Sequence, residues 1–254
     1  MPLLGAALIC VCVLRSSAQD NYEIQVYGSE TVEPAVTMVE LHSNFTFTGS
    51  SDRAPGVLST HSMLHETLEI THGFTSWFEL GAYVFTAVPR NSGWQWVGSH
   101  LRPRVSAPAA WQWPLGASLS LEAGYQRLEY SEDTWTSEIR PVVDLQSGRW
   151  YLAFNPVFDH SLKGDGAARG FEFSPNAKVS FDLTEEIALG IEYYGSVGPV
   201  ADPDPVRQQQ HQIVPAIDLN VSPEWEFNFG VCFGLTPGTD HVIAKMILGR
   251  RIGG

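Results

Sequence analysis

The stretch WEFNFGVCFG, residues 225–234, carries a large apolar side chain at every second position, with Glu226, Asn228, Gly230, Cys232 and Gly234 between. Successive side chains of a strand point to opposite faces, so this is a ribbon with one bulky apolar face and one small or polar face. The same period of two recurs in twelve segments, at 36–47, 61–72, 77–87, 95–106, 116–130, 134–145, 149–159, 170–183, 187–195, 208–220, 225–234 and 240–252. Within 170–183, Phe171, Phe173, Ala177, Val179, Phe181 and Leu183 share one face, and Glu172, Ser174, Asn176, Lys178, Ser180 and Asp182 share the other. Segments of nine to fifteen residues exceed ordinary soluble strands and suit tilted spans of a bilayer. Their even number suits a closed barrel.

Connections and tryptophans decide which face meets lipid. Three alternate connections, 73–76, 146–148 and 222–224, are short, whereas TGSSDRAPGVLST, SLKGDGAARG and SVGPVADPDPVR are long and rich in turn residues. Short turns at one end and longer loops at the other characterise outer-membrane barrels. Trp77, Trp113, Trp150 and Trp225 fall at the short-turn end, and Trp94, Trp96 and Trp135 at the opposite rim. An indole at either rim rests at a water–lipid boundary. A cylinder of twelve strands cannot enclose so many Phe, Trp and Leu side chains, so the apolar face points outward and the polar face inward. Closure also leaves no backbone edge in hydrocarbon. The predicted fold is all-β, a transmembrane antiparallel up-and-down β-barrel of about 12 strands over 35–254. Pro103, Pro141, Pro156, Pro175 and Pro215 lie inside segments on the outward phase and predict bulges or interrupted pairing, because proline removes a ladder hydrogen bond. Glu66 sits on the apolar parity of its segment as a misfit.

Composition agrees with this picture. Of 254 residues, 44% are hydrophobic and 17% charged, which is not the make-up of a disordered chain. A net charge of -13 with 15 Lys and Arg argues against a nucleic-acid partner, which needs a basic patch. No internal apolar run is long enough for a transmembrane helix. MPLLGAALICVCVL, followed by small residues at Ser16 and Ala18, reads as a signal peptide over 1–18, with a periplasmic N-terminal segment at 19–34 ahead of the barrel. Cys10 and Cys12 lie in that leader. The mature chain then holds Cys232 alone, which excludes an internal disulfide and a Cys-rich metal site.

Candidate chemistry is sparse. HETLEITH at 65–72 lacks the HExxH spacing and the helix that a metalloprotease signature needs, and on a strand His65 and Glu69 share a face while His72 points away. The pairs His42–Ser43, His61–Ser62, Ser99–His100 and His160–Ser161 are adjacent, so their members face opposite sides and form no Ser–His dyad on a wall. Neither a G-x-S-x-G elbow nor a glycine-rich phosphate loop occurs. No enzyme activity and no cofactor are expected. The inward polar face is more informative: Glu79, Arg102, Arg104, Glu122, Glu138, Arg140, Asp144, Lys178, Asp218 and Glu226 are the candidate lumen-lining residues. They either pair and plug a narrow lumen or border a conducting path.

The stretches YEIQVYGSETVEP, VTMVELHSNFTFTG, HETLEITHGFTSWFELGAYVF, LRPRV, WYLAFNPVFD, FEFSPNAKVSFDLTEEIALGIEYYG and WEFNFGVCFGLTPGTDHVIAKMILG resemble a family of bacterial outer-membrane barrel proteins associated with the MetA pathway of phenol degradation. The resemblance covers nearly the whole chain after the leader, the in-strand prolines included. It implies a barrel of about twelve strands that transports small, aromatic or hydrophobic molecules, and it carries over no functional residues. Members commonly finish in an aromatic residue that aids insertion, whereas this chain reads LGRRIGG. The expected location is the bacterial outer membrane. The expected partners are outer-membrane lipid, the barrel-assembly machinery and a small-molecule solute. The expected role is a passive channel or uptake protein; the alternatives are a non-conducting structural or binding barrel with a plugged lumen, and a lipid-modifying enzyme.

Overall fold

The computed structural model describes residues 21–50 and 56–253, so the expected leader at 1–18 lies outside the described residues. Twelve long strands follow the predicted segments: β1 (Thr37–Thr48), β2 (Met63–Thr75), β3 (Phe78–Val88), β4 (Gln95–Ser106), β5 (Gly116–Gln126), β6 (Trp135–Ser147), β7 (Trp150–Lys163), β8 (Phe171–Asp182), β9 (Ile187–Ser196), β11 (Gln210–Leu219), β12 (Trp225–Gly234) and β13 (Val242–Ile252). A two-residue strand, β10 (Gly198–Pro199), adds to β8 at Phe173 and Glu172. The long strands pair antiparallel with their sequence neighbours, β9 pairs with β11, and β13 returns to β1, which closes the sheet. Closure removes the free edge that an open sheet of this size would present.

The prolines interrupt pairing without shifting register. Between β4 and β5, Leu101 faces Ala123 and pairing resumes at Arg104 with Ser120, skipping Pro103. Between β6 and β7 it runs from Ile139–Phe158 to Val143–Phe154 across Pro141 and Pro156, and between β11 and β12 from Ile213–Phe233 to Ala216–Gly230 across Pro215. Each of these prolines keeps its partner on the other flank: Leu80 for Pro103, Leu119 for Pro141, Pro175 for Pro156 and Ile191 for Pro215. Pro175 stands where β8 passes from β9 to β10. A bulge occurs instead between β3 and β4, where Val97 has no opposite number and turns inward.

The outer face is apolar and exposed, with Ile191 at 60% and Leu101 at 57% among many such side chains. A predominantly apolar belt of this extent is not borne by a water-soluble monomer, and it is the lipid-facing surface of a membrane barrel. All eight tryptophans are exposed. They stand at the two rims, Trp77, Trp111, Trp113, Trp150 and Trp225 toward the short turns and Trp94, Trp96 and Trp135 toward the long loops. Glu66, the parity misfit, is accommodated on the outer side by a 2.7 Å hydrogen bond from Ser43 on β1.

The inner face is polar on most strands, with one departure from expectation. Tyr83, Phe85, Val214 and Ile243 also point inward and are buried. Their burial has a cause that strand alternation does not contain. Of the segment 19–34, expected to be a periplasmic lead-in to the barrel, the described residues 21–34 run inside the barrel, from Asn21 beside Thr46 and Asp240 near the long loops to Glu33 beside Gly73 near the short turns.

Candidate functional site

The inserted segment has no strand beside it, so its buried backbone groups need other partners. Wall side chains supply them. Asn44 donates to the Asn21 carbonyl at 2.8 Å, Thr67 to that of Tyr22 at 2.6 Å, and Lys245 to that of Ile24 at 2.9 Å. Asn155 bonds Tyr27 twice, accepting from its N–H at 2.8 Å and donating to its carbonyl at 3.0 Å. Arg104 donates to the carbonyls of Gly28 and Glu30, Asp144 accepts from the N–H and hydroxyl of Ser29, and Glu79 accepts from the N–H of Val32 at 2.6 Å. Gly73 on β2 makes room for the turn back into β1, since a Cβ there would run into the carbonyl oxygens of Val32 and Glu33.

Apolar side chains of the segment fill sockets on the inner wall. Tyr22 packs with Met63, Tyr83, Phe85, Ala87 and Val97, while Ile24 and Val26 pack with Ala153, Tyr194, Val214, Ala216, Cys232 and Ile243. The inward-facing apolar wall residues are thus the seat of the segment.

Tyr27 is the hub. Three guanidinium carbons lie over its ring, those of Arg140 at 4.7 Å, Arg102 at 4.9 Å and Arg104 at 5.7 Å from the centroid, and its hydroxyl bonds Glu23 and lies 3.2 Å from that of Tyr83. Burying three cations requires matching anions. Arg102 meets Glu69 at 2.5 Å and Glu79 at 3.3 Å, Arg104 meets Glu79 at 2.7 Å, and Arg140 meets Glu138 at 2.7 Å and Glu23 at 3.7 Å. On the far wall Lys178 bridges Asp218 at 2.8 Å and Glu192 at 3.5 Å, and Lys245 meets Glu192 at 2.5 Å.

The ten sequence-selected residues all lie on the inward face, and the structure assigns them to distinct groups. Glu79, Arg102, Arg104 and Arg140 surround Tyr27; Asp144 holds Ser29; Glu138 is bound to Arg140. Glu122 stands apart with His100, 2.5 Å from its Nδ1, and Lys178 with Asp218 forms a second network. Glu226 is less enclosed, 3.9 Å from Arg251. Sequence reading missed Tyr27, Asn155, Asn44, Thr67 and Glu69. A usable signal was present in the alternation of Tyr22, Ile24 and Val26, together with large apolar residues at Tyr83, Phe85 and Val214 on an otherwise polar parity.

The layer around Tyr27 divides the interior. Toward the short turns lies a cavity of about 1090 Å³ bordered by Tyr27, Glu40, Arg102, Arg104, Asp144 and Glu226. Toward the long loops a pocket of about 100 Å³ is bordered by Glu23, Glu122, Glu138, Arg140 and Asp159.

No protein-family model and no curated protein sequence matches this chain. Solved structures do match. An outer-membrane channel from Pseudomonas putida F1 aligns with TM-score 0.62 at 12% identity, covering 91% of this chain and 100% of that one. The KdgM porin aligns with TM-score 0.54 at 10% identity over 84% of this chain and 98% of its own, and the NanC porin with TM-score 0.50 at 7% identity over 85% and 99%. At such identities the likeness is one of fold, and the fold is that of bacterial outer-membrane β-barrel channels.

Proposed function

We propose that this protein is an outer-membrane channel or uptake barrel for small molecules in a Gram-negative bacterium, closed in this conformation by residues 21–34. The observation that carries the reading is the divided interior: a lipid-facing barrel encloses a cavity of about 1090 Å³ that stops at a single inserted segment, with further space beyond it. On this reading, displacement of that segment is the step that joins the two spaces. Support comes from the fold shared with the P. putida channel and the KdgM and NanC porins. The KdgM porin has also been solved in complex with a disordered oligogalacturonate. The resemblance to the phenol-degradation family makes aromatic and hydrophobic solutes the first to test. On this reading outer-membrane lipid surrounds the belt, the assembly machinery inserts the barrel, the short turns face the periplasm, and the chain is not a catalyst.

A second reading, a non-conducting binding barrel, is favoured by one observation, the number of wall side chains committed to the backbone of the segment. Planar-bilayer recording separates the two. The channel reading expects discrete current steps from the purified barrel and permeation of small solutes into proteoliposomes. Absence of both leaves the plugged barrel.

A further inference from the structure

Glu40 and His42 stand two apart on the inward face of β1, and Glu69 on β2 is the direct cross-strand partner of Glu40. All three are buried, and a ligand atom from each lies within 4.8 Å of the other two. Two features of this cluster are unfavourable as they stand. Like charges directly opposite on a ladder repel. His42, with no exposed surface, has no hydrogen-bond partner for either ring nitrogen among the described residues.

The nearby cations do not resolve this. Arg102 takes the Oε1 atom of Glu69, which also accepts from Thr71 at 2.7 Å, while Oε2 is left without a hydrogen bond, 3.4 Å from His42 Nε2. Arg104 is committed to Glu79 and to the carbonyls of Gly28 and Glu30. Arg102 and Arg104 are thus taken up by Glu69 and Glu79, and the buried Glu40 is left without an ion pair among the described residues.

We propose that Glu40, His42 and Glu69 bind one divalent transition-metal ion of the zinc type. The 3.4 Å between Glu69 Oε2 and His42 Nε2 is the edge expected of a tetrahedral site with bonds of about 2.1 Å. An imidazole among carboxylates selects first-row transition ions over magnesium or calcium, which prefer all-oxygen shells. Glu40 borders the 1090 Å³ cavity, so an ion can arrive from the short-turn end and water can complete its shell. The ion would neutralise the facing carboxylates and tie β1 to β2 beside the Tyr27 layer.

The test uses untagged, chelator-stripped barrel in detergent and Co²⁺ as the probe. The expected result is one Co²⁺ per chain, read from the visible d–d band of a low-coordinate site and displaced by Zn²⁺. His42→Gln and Glu40→Gln should each weaken binding by at least about tenfold, the effect that loss of even an outer-shell partner can have. His72→Gln, on the outer face of β2, should leave binding unchanged. Heat-dependent gel mobility reports whether each variant folds, and Glu40→Gln, at the cavity edge, serves if the His42 variant does not. Absence of the band from the wild-type barrel, or a band of equal strength and affinity in a folded His42 or Glu40 variant, overturns the proposal.

Discussion

Replacing Asn155 by alanine tests whether the inserted segment is the gate. Asn155 is fully buried and satisfies both backbone groups of Tyr27, at 2.8 and 3.0 Å. Without its amide the seated segment retains a buried N–H and a buried carbonyl with no partner, at about 1–3 kcal/mol each, or roughly 2–6 kcal/mol together. Water from the neighbouring cavity brings the cost toward the lower end. A displaced segment is hydrated and bears no such penalty, so the whole cost acts on the seated state. With about 1.4 kcal/mol for each factor of ten, the displaced population rises by roughly 30-fold to 10⁴-fold. Hydrogen exchange of peptides covering 21–34 should accelerate by that factor while amides of β6 to β8 keep their protection. Open events in planar bilayers should become more frequent in proportion. Unchanged exchange would refute the role of Asn155 in holding the segment. Faster exchange without any change in current would refute the link between the segment and the pore.

Three further predictions follow from the same geometry. Arg140→Met removes the cation bound to Glu138 and near Glu23, in the layer beside Glu122 and Asp159, so the reversal potential in a KCl gradient should shift toward potassium selectivity; an unchanged potential would place these groups off the ion path. Gly73→Val pushes a side chain into the Val32 and Glu33 carbonyls, and limited proteolysis should become faster at 30–35 while the barrel stays resistant. Ile191→Arg puts a charge in the middle of β9 on the lipid face and should lower stability in vesicles by about 2–4 kcal/mol in urea unfolding; equal stability would mean that this face does not meet hydrocarbon.

The strands were legible because two independent constraints coincide on them. A side-chain period of two has to hold over the whole span when one face meets lipid, and the rims are marked by tryptophan, so a slip of one residue is penalised along the entire strand. The largest offsets, at the ends of β5 and β7, fall where the chain continues toward the long loops and neither constraint acts. The prolines were legible as disturbances but not as a choice between bulge and gap, because that choice depends on the neighbouring strand. Inward parity of Glu79, Arg102, Arg104 and Arg140 followed from alternation, yet their common focus on Tyr27 did not. That focus depends on a segment that makes no ladder and whose path is set by side chains from several strands, Asn44, Thr67, Asn155 and Lys245 among them. Glu69 was missed for a related reason, since its partners Arg102 and His42 lie on different strands from its own.

The way the segment is held also bears on what can move it. Its polar contacts are exchangeable, because each wall side chain that it leaves can turn to water or to a neighbouring ion partner. Its apolar contacts are not, since Tyr22, Ile24 and Val26 would leave buried sockets for water at about 1.5–3 kcal/mol each. Spontaneous opening on that scale is rare, and converting a closed population to an open one requires roughly 5.5 kcal/mol of preference for the open state. A charged or strongly hydrated solute gains little in the sockets lined by Phe85, Val97, Val214 and Ile243. A small aromatic or aliphatic solute gains there what Tyr22, Ile24 and Val26 lose. On the channel reading, apolar solutes should therefore raise the frequency of open events and the exchange of 21–34 together, whereas polar solutes of equal size should change neither.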